Sequence, residues 1–309
     1  MEQPLVSIVV ISYNQAQYII QNLDSLKSQT YTNWELIVAD DASPDASVEV
    51  FKNWLHENNV SAKEIFHTKN TGLATVLNEA VKICSGEYVK FIAADDYLHP
   101  ECLEKSVHCL EEKGKEYAMV FTDTFSVDEN SEPLPDFADF NASGQIPPAE
   151  FHEMLIKSNR IGAPTVLMRT NVVKETGEYD AKFIVEDYQR WLKISETYFI
   201  AYVPQKLTYY RIHPGNTTKS KADRILAEDR MLQMMYDHKG TVKNMINHYM
   251  QDNYVTKNEM YVDLLQIYSS YPFRKKTLAF CINNKIPTIL FKIIYSLSLR
   301  LKFQLPTLM

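Results

Sequence analysis

The stretch "LVSIVVIS", Leu5–Ser12, is rich in β-branched residues and does not alternate regularly between apolar and polar. Alternation marks a strand with one wet face, whereas a continuous apolar run marks a strand covered on both faces in a parallel sheet. Working outward, "QAQYIIQNLDSLKSQ" places Ile19, Ile20, Leu23 and Leu26 at helical spacing, and Asn14 stands where a helix cap is needed. "WELIVAD" reads as a second strand. Ser43-Pro44-Asp45 reads as the next helix start, with Val48, Phe51, Trp54 and Leu55 as its buried stripe. "EIFHT", "EYVKFIA" and "YAMVFTD" are the third, fourth and fifth strands, with "GLATVLNEAVKICSG" and "ECLEKSVHCLEEKG" as amphipathic helices between them. Strands alternating with helices predict an α/β fold whose sheet is mainly parallel.

After Asp123 the pattern changes. Ser131 to Glu150 is rich in Pro and small polar residues and reads as a long surface loop. "PTVLMRT" returns as a strand, and "VEDYQRWLKISE" as a helix with acids in its first turn, where the helix dipole favours them. "FIAYVPQKLTYYRIHPG" reads as two short strands and a turn. From Ala222 onward the chain reads as mostly helical. The expected organisation is an α/β domain over 1–222 and a helical C-terminal extension over 223–309.

The totals bound the function. With 309 residues, 45% of them hydrophobic and 23% charged, the chain is an ordinary folded protein. A formal net charge of -7 argues against a nucleic-acid partner, which calls for a basic footprint. The four cysteines, Cys84, Cys102, Cys109 and Cys281, form no CxxC pair and read as reduced thiols. The start, "MEQPLVSIVVIS", has no basic region before a short apolar run, so a cytoplasmic location is expected.

Two apolar runs end in paired acids: Asp40-Asp41 after the second strand and Asp95-Asp96 after the fourth. Parallel sheets bind ligands beyond the carboxyl ends of their strands, where Tyr13-Asn14 also falls. Adjacent aspartates repel and need a cation or hydrogen-bond donors beside them. Their hard oxygens suit Mg²⁺ or Mn²⁺. A phosphoacceptor signalling domain would carry its acids after the first strand, which here ends in Ser12-Tyr13-Asn14. A nucleotidyltransferase would open with a Gly-rich basic loop, and "ISYNQAQY" holds no glycine.

Four segments in order carry a resemblance: "VSIVVISYNQAQYIIQNLDSLKSQTYTNWELIVADDASPDAS", "NTGLATVLNEAVKICSGEYVKFIAADDYLHP", "GEYDAKFIVEDYQRWLKIS" and "YYRIHPGNTT". Together they resemble the family 2 glycosyltransferases, inverting enzymes of the GT-A fold that use nucleotide sugars. The resemblance covers roughly residues 4 to 218. It implies that Ser12, Tyr13 and Asn14 lie against the base of the donor, that Asp41 with Asp40 holds the uracil or ribose, and that Asn70 and Gly72 shape the donor loop. It further implies that Asp95 and Asp96 bind Mn²⁺ or Mg²⁺, with His213 facing the metal or diphosphate, and that Asp187 is the general base, with Glu186 as the competing acid. The implied partners are a UDP-sugar and a glycan or undecaprenyl-diphosphate-linked acceptor in surface-polysaccharide synthesis. A non-catalytic glycan-binding or scaffold protein of the same fold is the alternative.

Some positions depart from the family pattern. Ala93 stands where many relatives have a further Asp, and Leu77 where many have Arg. Lys69, Arg160 and Arg211 are the cations left to meet the diphosphate. Arg190-Trp191 resembles the RW pair of processive synthases without the QxxRW spacing, so transfer of a single sugar is expected, with Trp191 in the core. The tail, "KIPTILFKIIYSLSLRLKFQLPTLM", mixes apolar residues with Lys292, Arg300 and Lys302. It suits peripheral membrane contact through 285–305, or packing on the protein or in a homodimer.

Overall fold

The computed structural model describes residues 3–136, 144–256, 258 and 260–293. The chain forms two compact units, Met1–Ser220 and Lys221–Met309. In the first, the strands are β1 (Val6–Ser12), β2 (Trp34–Asp40), β3 (Ala62–Phe66), β4 (Tyr88–Ala93), β5 (Tyr97–Leu98), β6 (Tyr117–Val127), β7 (Pro133–Leu134), β8 (Leu167–Arg169) and β9 (Phe199–Arg211). The helices that join them are α1 (Ala16–Lys27), α2 (Ser47–Asn58), α3 (Leu73–Ile83), α4 (Cys102–Lys113), α5 (Phe151–Lys157), α6 (Thr170–Glu175) and α7 (Glu186–Ser195), followed by the single turn α8 (Thr217–Ser220).

The sheet runs β3-β2-β1-β4-β8-β6-β9-β5, with β7 added on β6. β1, β2, β3 and β4 pair in parallel, β8 is antiparallel to both β4 and β6, and β9 is again parallel to β6. This mixed, mainly parallel sheet flanked by helices is the expected fold class. Register aligns the strand ends: Ser12 sits opposite Asp40, Asp40 opposite Phe66, and Ile11 opposite Ala93. The loops that follow β1, β2, β3 and β4 therefore leave the sheet side by side.

The unalternating runs behave as their composition requires. Val6, Ile8, Val9 and Val10 of β1 and Ile37, Val38 and Ala39 of β2 are all buried. Ile19, Leu23 and Leu26 of α1 and Phe51 and Trp54 of α2 close over Val6, Ile8, Val10 and Val38 in one cluster. Each such fully buried aliphatic side chain contributes about 1.5–3 kcal/mol. Ile20 departs from the expected stripe, being 54% exposed, because it lies one residue round the helix from Ile19.

Three local expectations are corrected. The α2 helix begins at Ser47, not at Ser43-Pro44-Asp45. Those three residues make the turn before it, where Ser43 bonds back to Asp40 and Asp45 Oδ1 accepts from the Ser47 N–H. Asn14 does not cap α1: it adopts φ 58, and Asp45 Oδ2 accepts the Ala16 N–H instead. Finally, "FIAYVPQKLTYYR" is one 13-residue strand. Its ladder with β6 passes from Thr122↔Val203 directly to Asp123↔Lys206, so the bulge swallows Pro204, which has no N–H to give. The 131–150 stretch holds β7 and a 3₁₀ turn at Pro148–Glu150.

The second unit is helical, with α9 (Ala222–Tyr236), α10 (Lys243–Thr256), α11 (Val262–Ser270) and α12 (Lys276–Asn283). Met231, Leu232, Ile246, Met250, Leu264, Tyr268 and Leu278 are buried in it. Asp237 pins one turn, accepting from the Thr241 and Val242 N–H groups and from the Tyr271 hydroxyl. No helix among the described residues is long and apolar enough to cross a membrane. Of the tail expected to meet a membrane, residues 294–305 lie outside the described residues.

Candidate active site

The two acid pairs follow β2 and β4, on either side of β1, but are held differently. Asp40 is 0% exposed, and its two oxygens accept from Ser43, Oδ1 from the N–H (2.8 Å) and Oδ2 from Oγ (2.5 Å). Its carboxylate thus holds the β2–α2 turn and is closed to a ligand. Ser43 Oγ in turn accepts the Asn14 N–H, and Ser12 Oγ donates to Ser47 Oγ, so the loops after β1 and β2 interlock. Tyr13, between them, is 51% exposed and free to present its ring.

Asp41 reaches across to the loop after β3. Its Oδ1 accepts from Thr71 N–H (2.8 Å), Thr71 Oγ1 (2.9 Å) and His67 Nδ1 (2.8 Å), and its Oδ2 from Gly72 N–H (2.7 Å). Burial alone would raise its carboxyl, but the His67 bond and the two main-chain N–H groups hold it below the usual carboxylate range. Gly72 takes φ +89, a left-handed conformation that glycine alone adopts at no cost, and so turns its N–H toward Asp41 before α3 begins. Asn70 and Lys69 in the same loop are exposed.

Asp95 and Asp96 sit between β4 and β5, and both are buried. Asp95 Oδ2 meets His213 Nε2 at 3.0 Å. The His213 Nδ1 accepts the Gly215 N–H, so its proton is on Nε2 and is donated to Asp95. Asp96 Oδ1 accepts the Arg211 N–H at 2.9 Å. Asn22, on the buried face of α1, donates to the carbonyls of Ala93 and Asp96 and fixes the turn that aims the pair. Burial first, and then the charge of Asp95, drive the Asp96 carboxyl well above its ordinary range, although Arg211 and Lys90 pull the other way.

Arg211, expected at the diphosphate, is 1% exposed and committed to the protein. It donates to the carbonyls of Asp95, Asp128 and Glu129, to Ser131 Oγ and to Gln21 Oε1. Its guanidinium lies 4.5 Å from the Tyr18 ring centroid. Arg211 thus holds the Asp95-Asp96 turn, with most of its donors already engaged by the protein. Arg160, like Lys69, is exposed.

Asp187 lies in the first turn of α7 and is half-buried. Burial raises its carboxyl, opposed by the Tyr188 N–H and the side chain of Asn159. Glu186 beside it is buried. Arg190 spends its donors on Val173 O, Thr176 Oγ1 and Gly177 O, and Trp191 is in the core. The Tyr210 hydroxyl, near the end of β9, is raised by burial, then by the charge of Asp96, and also by those of Asp95 and Asp187.

Known proteins are similar to this chain in sequence and fold. Residues 7–175 match glycosyl transferase family 2. The chain belongs to that family. It is a glycosyltransferase. Escherichia coli WfaP, a UDP-Glc:alpha-D-GlcNAc-diphosphoundecaprenol beta-1,3-glucosyltransferase, is 28% identical over 233 residues, covering 74% of this chain and 86% of that enzyme. An uncharacterized glycosyltransferase of Rickettsia bellii is 28% identical over 213 residues, 69% of this chain but 29% of that longer protein. Among solved structures, Staphylococcus aureus TarS 1-349 in complex with UDP-GlcNAc superposes with a TM-score of 0.63 at 18% identity, covering 86% of this chain and 80% of that one. The Pyrobaculum calidifontis mannosyltransferase PcManGT, in complex with GDP-Man and Mn²⁺, has a TM-score of 0.59 at 16% identity and covers 98% of this chain and 81% of its own. These two share the GT-A-like fold.

His67, Thr71, Asn22 and Asn159 did not stand out in the sequence. His67 was within reach of the reading that found the acids, since it directly follows a strand. Asn22 interrupts the apolar face of α1, which is where a buried polar residue with a task declares itself.

Proposed function

We propose that this glycosyltransferase moves a single sugar, with inversion, from a UDP-sugar to a hydroxyl of a lipid-linked glycan in surface-polysaccharide synthesis. The observation that carries the reading is the buried acid pair at the end of β4, with Asp95 Oδ2 3.0 Å from His213 Nε2 and Asp96 Oδ1 2.9 Å from the Arg211 N–H; Asp187 on α7 is the second acid. One acidic station then serves the leaving group and the other the incoming alcohol.

The residues fit a divalent cation. Asp95 and Asp96 offer hard oxygens in a buried corner where their mutual repulsion is under-compensated, as the raised Asp96 carboxyl records. Among the described residues no group of three His, Cys, Asp or Glu side chains is arranged to hold a metal, so the diphosphate itself would complete the shell. When bound, Mn²⁺ or Mg²⁺ offsets the negative charge that develops on the departing diphosphate. His213 keeps Asp95 oriented, and Arg211 and Asn22 keep the turn rigid. Tyr13 faces the base, and the Asp41-fixed loop at Asn70 and Gly72 borders the nucleotide.

Asp187 takes the proton of the acceptor hydroxyl as its oxygen bonds to C1 of the sugar. The C1–oxygen bond to the diphosphate breaks on the opposite face, and UDP leaves with that electron pair. Burial that raises the Asp187 carboxyl makes it the stronger base. Commitment of Arg190 to three partners in the α6–α7 region supports single transfer over a processive role for the Arg190-Trp191 pair. The WfaP relative, named for a diphosphoundecaprenol-linked acceptor, supports the acceptor class.

A panel of UDP-sugars, assayed with Mn²⁺ and then with chelator, tests the reading. Transfer should require the metal. Asp187→Asn should lower kcat about 10²–10⁴-fold while UDP affinity stays within a factor of about two. Near-normal turnover in that variant removes Asp187 from the chemistry.

A further inference from the structure

The loop after β3 contains a charged clamp that the reaction just described does not use. His67 Nδ1 lies 2.8 Å from Asp41 Oδ1, and its Nε2 lies 3.0 Å from Glu79 Oε2 on α3. Ionised carboxylates only accept hydrogen bonds, and a neutral imidazole has one N–H to donate. Both contacts are satisfied together only when both ring nitrogens carry protons. We propose that His67, as an imidazolium clamped between Asp41 and Glu79, is the positioning residue that fixes the Thr71–Gly72 loop against the nucleotide. This rests on the reading of the cleft as a nucleotide-sugar site.

The clamp connects three elements. Asp41 directly follows β2, His67 directly follows β3, and Glu79 lies about two turns along from Gly72 on α3. Thr71 Oγ1 bridges the first two, 2.9 Å from both Asp41 Oδ1 and His67 Nδ1. When the ring loses a proton, one carboxylate faces a lone pair, and the loop loses a strut on either the Asp41 or the Glu79 side. The charged groups that face the ring are Asp41 and Glu79; Asp40, next along β2, is turned to Ser43, and Lys69 on the same loop is exposed. Burial disfavours the charged ring, but Glu79 and Asp41 outweigh it and raise the His67 pKa above its ordinary value. The clamp is therefore closed below that raised value and opens as the pH rises through it.

The test is UDP binding with Mn²⁺ by calorimetry, from about pH 6 to about pH 9, on the full chain, with the His67 ring proton followed by NMR over the same range. Wild type should bind UDP more weakly as the His67 resonance titrates. Glu79→Gln, at an exposed position that leaves folding intact, should move both inflections to lower pH together while affinity at the acid end stays near wild type. His67→Gln should bind about tenfold more weakly at the acid end and lose the inflection. An inflection that survives in His67→Gln, or stays in place in Glu79→Gln, overturns the clamp. If wild type binds no UDP at any pH while His67 still titrates above the ordinary histidine range, the nucleotide reading falls and takes the positioning role with it.

Discussion

Asp40-Asp41 and Asp95-Asp96 are the same dipeptide on the same edge of one sheet, two strands apart, yet their electrostatics are opposed. Every oxygen of the first pair accepts a hydrogen bond, from Ser43, His67, Thr71 or Gly72, and the Asp41 carboxyl is held low. The second pair meets His213 on Asp95 and the Arg211 N–H on Asp96, and the Asp96 carboxyl is driven high. The lesson is that adjacent acids do not define a cation site. The donors around them decide whether the charge is already answered or still needs a counterion.

The largest separation between the pairs is expected in turnover. Asp96→Asn should cost about 10²–10³-fold in kcat through lost stabilisation of the leaving diphosphate, while the metal-free protein keeps or gains stability because a buried repulsion disappears. Urea unfolding with chelator measures the second half. A clear loss of stability there would mean that Asp96 is a structural acid after all. Asp41→Asn should do the reverse. Its new amide N–H₂ faces donors, so it should cost about 1–3 kcal/mol of stability in the same melts.

The pH dependence of stability sharpens the contrast. Asp41 has a folded value below its unfolded one, so its contribution is present above the unfolded value and is lost as the pH falls through the folded one. Asp96 has a folded value above its unfolded one, so its contribution is present below the unfolded value and is lost as the pH rises through the folded one. In chelator, thermal midpoints of wild type and Asp96→Asn should separate as the pH rises, and those of wild type and Asp41→Asn should converge as it falls. The smallest effect belongs to Asp40→Asn, whose side-chain oxygen can still accept from the Ser43 N–H. It should cost about 0.5–1.5 kcal/mol and leave UDP affinity unchanged, by calorimetry.

What the sequence made legible follows from which interactions are local. The run at Leu5–Ser12 announces a doubly covered strand because burial of both faces requires apolar residues at every position. The strand ends announce candidate acids because loops there face solvent or ligand. What the sequence hid is pairing between distant donors and acceptors. Nothing in "YYRIHPG" tells that Arg211 is buried and donates to the carbonyls at 95, 128 and 129. Likewise, the Asp40 bond to Ser43 is local enough to be drawn from an Asp-x-x-Ser turn, whereas the Asp41 contacts thirty residues on, at Thr71, are not. Pro204 looked like a strand break because its bulge exists only against β6.

The central claim is that the acids at the end of β4 await a cation and those at the end of β2 do not. Calorimetric titration of UDP into wild type, Asp96→Asn and Asp40→Asn, each with Mn²⁺ and with chelator, tests it most directly. The account predicts that Mn²⁺ tightens UDP binding about tenfold or more in wild type and Asp40→Asn and has no effect in Asp96→Asn. Equal tightening by Mn²⁺ in all three proteins would contradict it.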